Sequence, residues 1–61
     1  MIQVTVVEEI HKVTIVRGKL EVLPRVGELL DIYWKLYIVT DIKHYLGEQL
    51  SQDICIFVKE L

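Results

Sequence analysis

Residues 28–45 read ELLDIYWKLYIVTDIKHY and form the most apolar part of a 61-residue chain. Two readings compete for this stretch. As a helix, Leu29, Leu30, Tyr33, Leu36 and Tyr37 share a broad apolar face, and Asp31 and Lys35 sit four apart as a favourable pair. As strands, Leu30, Ile32 and Trp34 alternate with Asp31 and Tyr33. Leu36, Ile38, Thr40, Ile42 and His44 likewise oppose Tyr37, Val39, Asp41, Lys43 and Tyr45. The run YIVTDI at 37–42 favours strands on residue type, since β-branched side chains suit a pleated surface. The preferred reading is a hairpin turning near Tyr33–Lys35. That turn holds no Gly, Asn or Asp, an unusual chemistry for a tight hairpin.

The same bias runs through the whole chain, which has 17 Ile and Val, three Thr and no Ala. Ile2, Val4 and Val6 alternate with Gln3 and Thr5, marking a strand at 2–7. Val13 and Ile15 mark another at 11–16. The EEIH segment at 8–11 is a turn between them, or residues 2–16 form one long strand interrupted by a bulge. RGK at 17–19 reads as a turn with Gly18 at positive φ, which makes 20–23 a third strand. In LPRVGELLDI (23–32), Pro24 ends an extended segment and Gly27 supplies a left-handed corner, a structural turn rather than a phosphate loop. LGEQLSQD at 46–53 reads as a loop or one short helical turn. The last strand, 54–59, sets Ile54, Ile56 and Val58 against Cys55, Phe57 and Lys59. The expected fold is mainly β: a small antiparallel SH3-like barrel or strongly curved sheet, with room for one short helix or helical turn, in a single domain over 1–61.

The runs LPRVGELLDI, YIVTDIKHYL and ICIFVKEL resemble a pattern in small, largely uncharacterised bacterial and phage-type proteins. There a P-x-x-G-[ED] turn, here Pro24 to Glu28, leads into three antiparallel strands of a small SH3-like barrel. The resemblance covers residues 23–60. It implies a barrel of the kind that binds peptides, nucleic acid or its own copies, and fold likeness alone assigns none of those roles.

Composition narrows the function classes. One cysteine, Cys55, forms no disulfide within the chain, and Cys55, His11 and His44 lack metal-ligand spacing. No metal or cofactor is expected. The start MIQVTVVEE has no signal-peptide features, and no apolar run reaches 18 residues, so a cytoplasmic protein without a membrane span is expected. Seven Lys and Arg against nine Asp and Glu give a net charge of −2. With dispersed cations, nucleic acid is a minor reading.

Candidate chemistry is sparse. His44 and Asp41 are three apart and face opposite ways on a strand. His11 lies beside Glu8 and Glu9 at a strand end. Cys55, between two Ile, reads as packing, and pairing it with His44 across strands lacks an oxyanion-hole motif. No enzymatic activity is expected. The aromatic group Tyr33, Trp34, Tyr37, Tyr45 and Phe57 serves as core if buried and as an interaction surface if exposed. The high apolar fraction, 52%, in a small unstapled chain favours contact with protein, either a second copy or a larger assembly. The alternative is single-stranded nucleic acid held by exposed tyrosines with Arg17, Lys19 and Arg25. No small-molecule substrate is evident.

Overall fold

The computed structural model describes residues 2–46 and 52–61, with side chains described for 2–44 and 54–61. Five strands follow in order: β1 (Ile2–Glu8), β2 (Val13–Leu20), β3 (Leu29–Ile32), β4 (Lys35–Leu46) and β5 (Gln52–Glu60). They form one sheet in the order β2-β1-β5-β4-β3, curled into an open half-barrel. No helix occurs among the described residues, so none there is long and apolar enough to cross a membrane. The contested segment 28–45 is therefore a hairpin. The reading of 46–53 as a loop or helical turn is corrected at its ends, where Leu46 continues β4 and Gln52 and Asp53 begin β5 because they pair across the ladder; residues 47–51 lie outside the described residues.

Three of the four ladders are antiparallel. The exception is β1 with β5, which pair in parallel from Val4↔Ile54 to Glu8↔Val58. That pairing inserts the last strand between the first and the fourth. Two bulges bend the sheet. Val6 pairs with Val16 and Val7 with Thr14, which leaves Ile15 as the extra residue on β2. On β4, Val39 pairs with Val58 and Asp41 with Phe57, which leaves Thr40 extra. An extra residue kinks its strand and increases the local right-handed twist. The Thr40 hydroxyl donates to the Phe57 carbonyl at 3.2 Å, which gives that oxygen a partner at the bulge.

The core lies on the inner face of the curl. Val4, Val6, Tyr37, Val39, Ile54, Ile56 and Val58 are its buried residues, and Ile2, Val16, Leu20, Leu30, Ile32 and Ile42 pack around them. The alternation on β5 explains the division: Ile54, Ile56 and Val58 point inward, while Cys55 and Phe57 are half-buried on the outer face. Each buried Val or Ile contributes about 1.5–3 kcal/mol.

Two expectations about the N-terminal half are corrected. Gly18 is not in a turn: β2 continues through it, pairing Val4↔Gly18 and Ile2↔Leu20. Residues 20–23 accordingly form no third strand beyond Leu20. The ladder to β1 holds Gly18 extended, and the chain reverses instead at residues 9–12, where Lys12 takes φ 58°. Residues 21–28 are a connection that ends in a tight turn. The Glu28 amide donates to the Arg25 carbonyl at 3.0 Å, and Gly27 at the third position has φ 94°, the geometry of a type II turn. The Gly27 amide then reaches the Val39 carbonyl at 2.9 Å, which ties the turn to β4.

A side chain at Gly27 meets no neighbour within 4 Å, so a substitution there is strained by backbone conformation alone. Gly27→Val is expected to lower unfolding free energy by about 1–2 kcal/mol, read from urea denaturation. Undiminished stability would mean that the turn relaxes out of the left-handed region at no cost.

Candidate functional site

The β3–β4 hairpin is closed by two residues, since Ile32 pairs directly with Lys35. Its central residues, Tyr33 and Trp34, have φ values of 51° and 69°. Both positive angles are what a type I′ turn requires, and that turn matches the twist of the flanking strands. Asn-Gly usually occupies such a turn, because a bulky residue held left-handed costs about 1–2 kcal/mol. Here two aromatic residues occupy it, and packing does not offset the strain: Tyr33 is 72% and Trp34 95% exposed. The hairpin thus holds two large rings in solvent. Backbone strain of this kind concentrates at functional positions.

The register carries the apolar surface onto the outer face beside this tip. Leu29 pairs with Ile38 and Asp31 with Leu36, and Ile38 pairs with Lys59. The Leu61 amide donates to the Leu36 carbonyl at 3.0 Å, extending the ladder by one residue. Leu29, Leu36 and Leu61 are all exposed. With Tyr33 and Trp34 they make an apolar end to the sheet, rimmed by Asp31 and Lys59.

The five candidate aromatic residues do not converge. Tyr33 and Trp34 form the tip, while Tyr37 is a core residue at 6% exposure. Phe57 lies half-buried on the outer face, with Lys12 Nζ at 5.8 Å and Lys43 Nζ at 5.4 Å from its ring centroid. Tyr45 pairs with Asp53 in the backbone register, and its side chain lies outside the described set. Placing the turn at 33–34 separates these residues, because Leu36 and Ile38 then face outward and Tyr37 inward. Sequence reasoning missed Leu29, Leu36 and Leu61 as surface residues. A two-residue turn would have signalled them, but the absence of Asn and Gly concealed it.

The cations also divide. Arg17 pairs with Thr5 and Lys19 with Gln3, so both stand on the outer face, the face that also carries Phe57 and Lys43. Arg25 lies apart, on the turn before β3, where its amide donates to Glu28 Oε1. Cys55 pairs with Lys43 and His44 with Ile54, which puts the thiol and the imidazole on opposite faces. Burial pushes the Cys55 thiol above its ordinary pKa, against a smaller opposing effect of Lys43. Asp41 and His44 also face opposite ways, and Asp41 Oδ1 accepts the Ile42 amide at 2.8 Å. Among the described residues no group of three or more His, Cys, Asp and Glu is placed to hold a metal ion.

The turn between β1 and β2 is organised by Glu8. Its carboxylate accepts the Ile10 and His11 backbone amides, and the His11 Nδ1–H donates to Oε1 at 2.5 Å. The His11 side-chain hydrogen bond is the main cause that holds the Glu8 carboxyl below its ordinary pKa.

No family model matches this chain, and no curated protein or solved structure shows significant similarity to it.

Two predictions follow from the turns. Replacing Tyr33–Trp34 by Asn-Gly removes the strain and is expected to raise stability by about 1–2 kcal/mol. For a domain this small, that is a Tm increase of roughly 4–8 °C per kcal/mol. Measured at a concentration where the chain is monomeric, a Tm unchanged or lowered would show that the aromatic turn stores no strain. For Glu8 the folded state binds its proton less readily than the unfolded state. Its contribution is present above the unfolded carboxylate pKa and is lost as pH falls through the lowered folded value. Glu8→Gln should therefore flatten the acid limb of a Tm-versus-pH curve, and parallel curves for the two proteins would refute the assignment.

Proposed function

We propose that the chain is a non-enzymatic, cytoplasmic interaction module that associates with copies of itself through the apolar end of its sheet. The observation that carries this reading is the strained, solvent-exposed Tyr33–Trp34 tip, continuous with the exposed Leu29, Leu36 and Leu61. Tyrosine and tryptophan are frequent anchors at protein interfaces because each buries a large ring at low rotamer cost. Aliphatic side chains beside them supply the apolar centre of a patch, and Asp31 and Lys59 a polar rim. The small inner core makes such an interface valuable, since a domain of this size buries only about 60% of its unfolded surface by itself.

A second reading has one observation in its favour. Arg17, Lys19, Lys12 and Lys43 share the outer side of the sheet with Phe57, a grouping suited to a single-stranded nucleic-acid backbone. Of the tyrosines with a described side chain, only Tyr33 is exposed. The cations would therefore carry that interaction, and it would weaken steeply with salt.

Light scattering at micromolar concentration separates the two. The expected mass is that of a dimer or larger species, falling to a monomer in the double variant Trp34→Ser with Leu36→Glu. A monomeric parent chain would overturn self-association. Salt-dependent retention of a labelled oligonucleotide by that monomer would favour the second reading.

A further inference from the structure

The sheet order leaves β2 and β3 as its two edges, and the curl turns these edges towards one another. No Cα atom of β2 comes within 8 Å of a Cα atom of β3, whereas paired strands lie about 4.7–4.9 Å apart. The edges nevertheless wall a cavity of about 220 Å³, whose apolar lining is Val4, Val6, Val16, Leu20, Leu30 and Ile32. Lys19 and Asp31 stand at its two sides, and Gly18 lines it on β2. The opening therefore leaves both edges unpaired over an apolar floor.

Gly18 supports this independently. It is interior to β2, and its φ is not in the left-handed region, so backbone geometry does not demand glycine there. A Cβ added at Gly18 would meet nothing within 4 Å, so packing within the chain does not demand it either. Glycine in a strand interior weakens the strand, and it often marks a place where another backbone approaches closely. Among the described residues, no turn or connection donates a backbone hydrogen bond to the free side of β2 or β3.

We propose that the chain binds an extended peptide segment of a partner protein as a sixth strand between β2 and β3, and that the segment alternates apolar and acidic residues. Its apolar side chains enter the cavity, and its main chain hydrogen-bonds along the free edges, the mode of β-strand addition. The acidic preference comes from β2. That strand offers eight residues against four from β3, and its outward charged side chains are the exposed Arg17 and Lys19, two cations against the one exposed acid, Asp31, on β3. Proline inside the segment is excluded, because it removes a ladder donor. A second copy's β3 is not the occupant, since that strand is already bonded to its own β4 and would bring β4 with it. This surface differs from the hairpin end proposed for self-association.

The test is an NMR titration of isotope-labelled full chain with capped eight-residue peptides. One alternates Val and Glu, one alternates Val and Lys, and one carries a central Pro in the Glu series. The Glu peptide is expected to shift β2 and β3 amides and to slow their hydrogen exchange. The Lys peptide should bind at least tenfold more weakly, and the Pro peptide should not bind. Gly18→Val should fold with undiminished Tm yet lose at least tenfold in affinity. Arg17→Glu with Lys19→Glu, on the exposed face, should reverse the charge preference. Absence of binding by all three peptides, shifts confined to the hairpin tip, or full affinity in Gly18→Val would overturn the proposal. Protection of the β2 and β3 edge amides before peptide is added would also overturn it, by showing that a second copy already fills the opening. The mass of the same samples keeps the two readings apart. A dimer that ignores peptide refutes strand addition alone, and a monomer that binds peptide refutes self-association alone.

Discussion

The structure depends on the insertion of β5 between two hairpins that share no backbone ladder with each other. The β1–β2 and β3–β4 pairs contact one another at strand level only through β5, whose parallel ladder with β1 and antiparallel ladder with β4 run along its two sides. Ile56 and Val58 are wholly buried and Ile54 nearly so. They supply both the middle of the apolar core and the backbone bonds that make one sheet of two halves. Since β5 is the last strand in the chain, its ladder with β1 closes a loop of almost the full chain length. Such non-local pairing has a loop-closure cost that only the burial of these side chains offsets.

Because the first and last strands pair in the middle, the free edges fall on β2 and β3, and neither meets the other. Closed barrels abolish edges, whereas open sheets must protect them. Here the protection is partial. β3 is four residues long, β2 carries a bulge at Ile15 and two cations at Arg17 and Lys19. These features discourage indiscriminate sheet-to-sheet aggregation. They leave an apolar cavity between the edges, bared by Gly18. The surface is thus divided in three: a strained aromatic tip with leucines beside it, a cationic outer face around Phe57, and the edge-lined cavity.

Much of the fold was legible along the chain. Period-two alternation located β1, β4 and β5, and β-branched content decided strand over helix at 28–45. Gly27 stood out as a corner because Pro24 precedes it and an apolar run follows. Gly18 was misread for a related reason. A glycine between Arg17 and Lys19 has the local chemistry of a turn, but β1 offers a continuous ladder partner as far as Ile2, and long-range pairing overrides a local preference. Tyr33–Trp34 escaped recognition as a two-residue turn because the residues that favour positive φ are absent there. The placement of the turn also sets which of the aromatic candidates face inward, and so separates Tyr37 from Tyr33 and Trp34.

The sequence by itself determined that this chain is built from strands, which faces of them are apolar, and where the corner at Gly27 lies, because these follow from local periodicity and residue type. Tertiary structure alone decided that β5 enters parallel to β1, that Tyr37 is core while Trp34 is solvent-exposed, and that β2 and β3 border an open cavity. The physical reason is that strand order and register depend on pairings between residues far apart in the chain. No single stretch encodes which neighbour it will find.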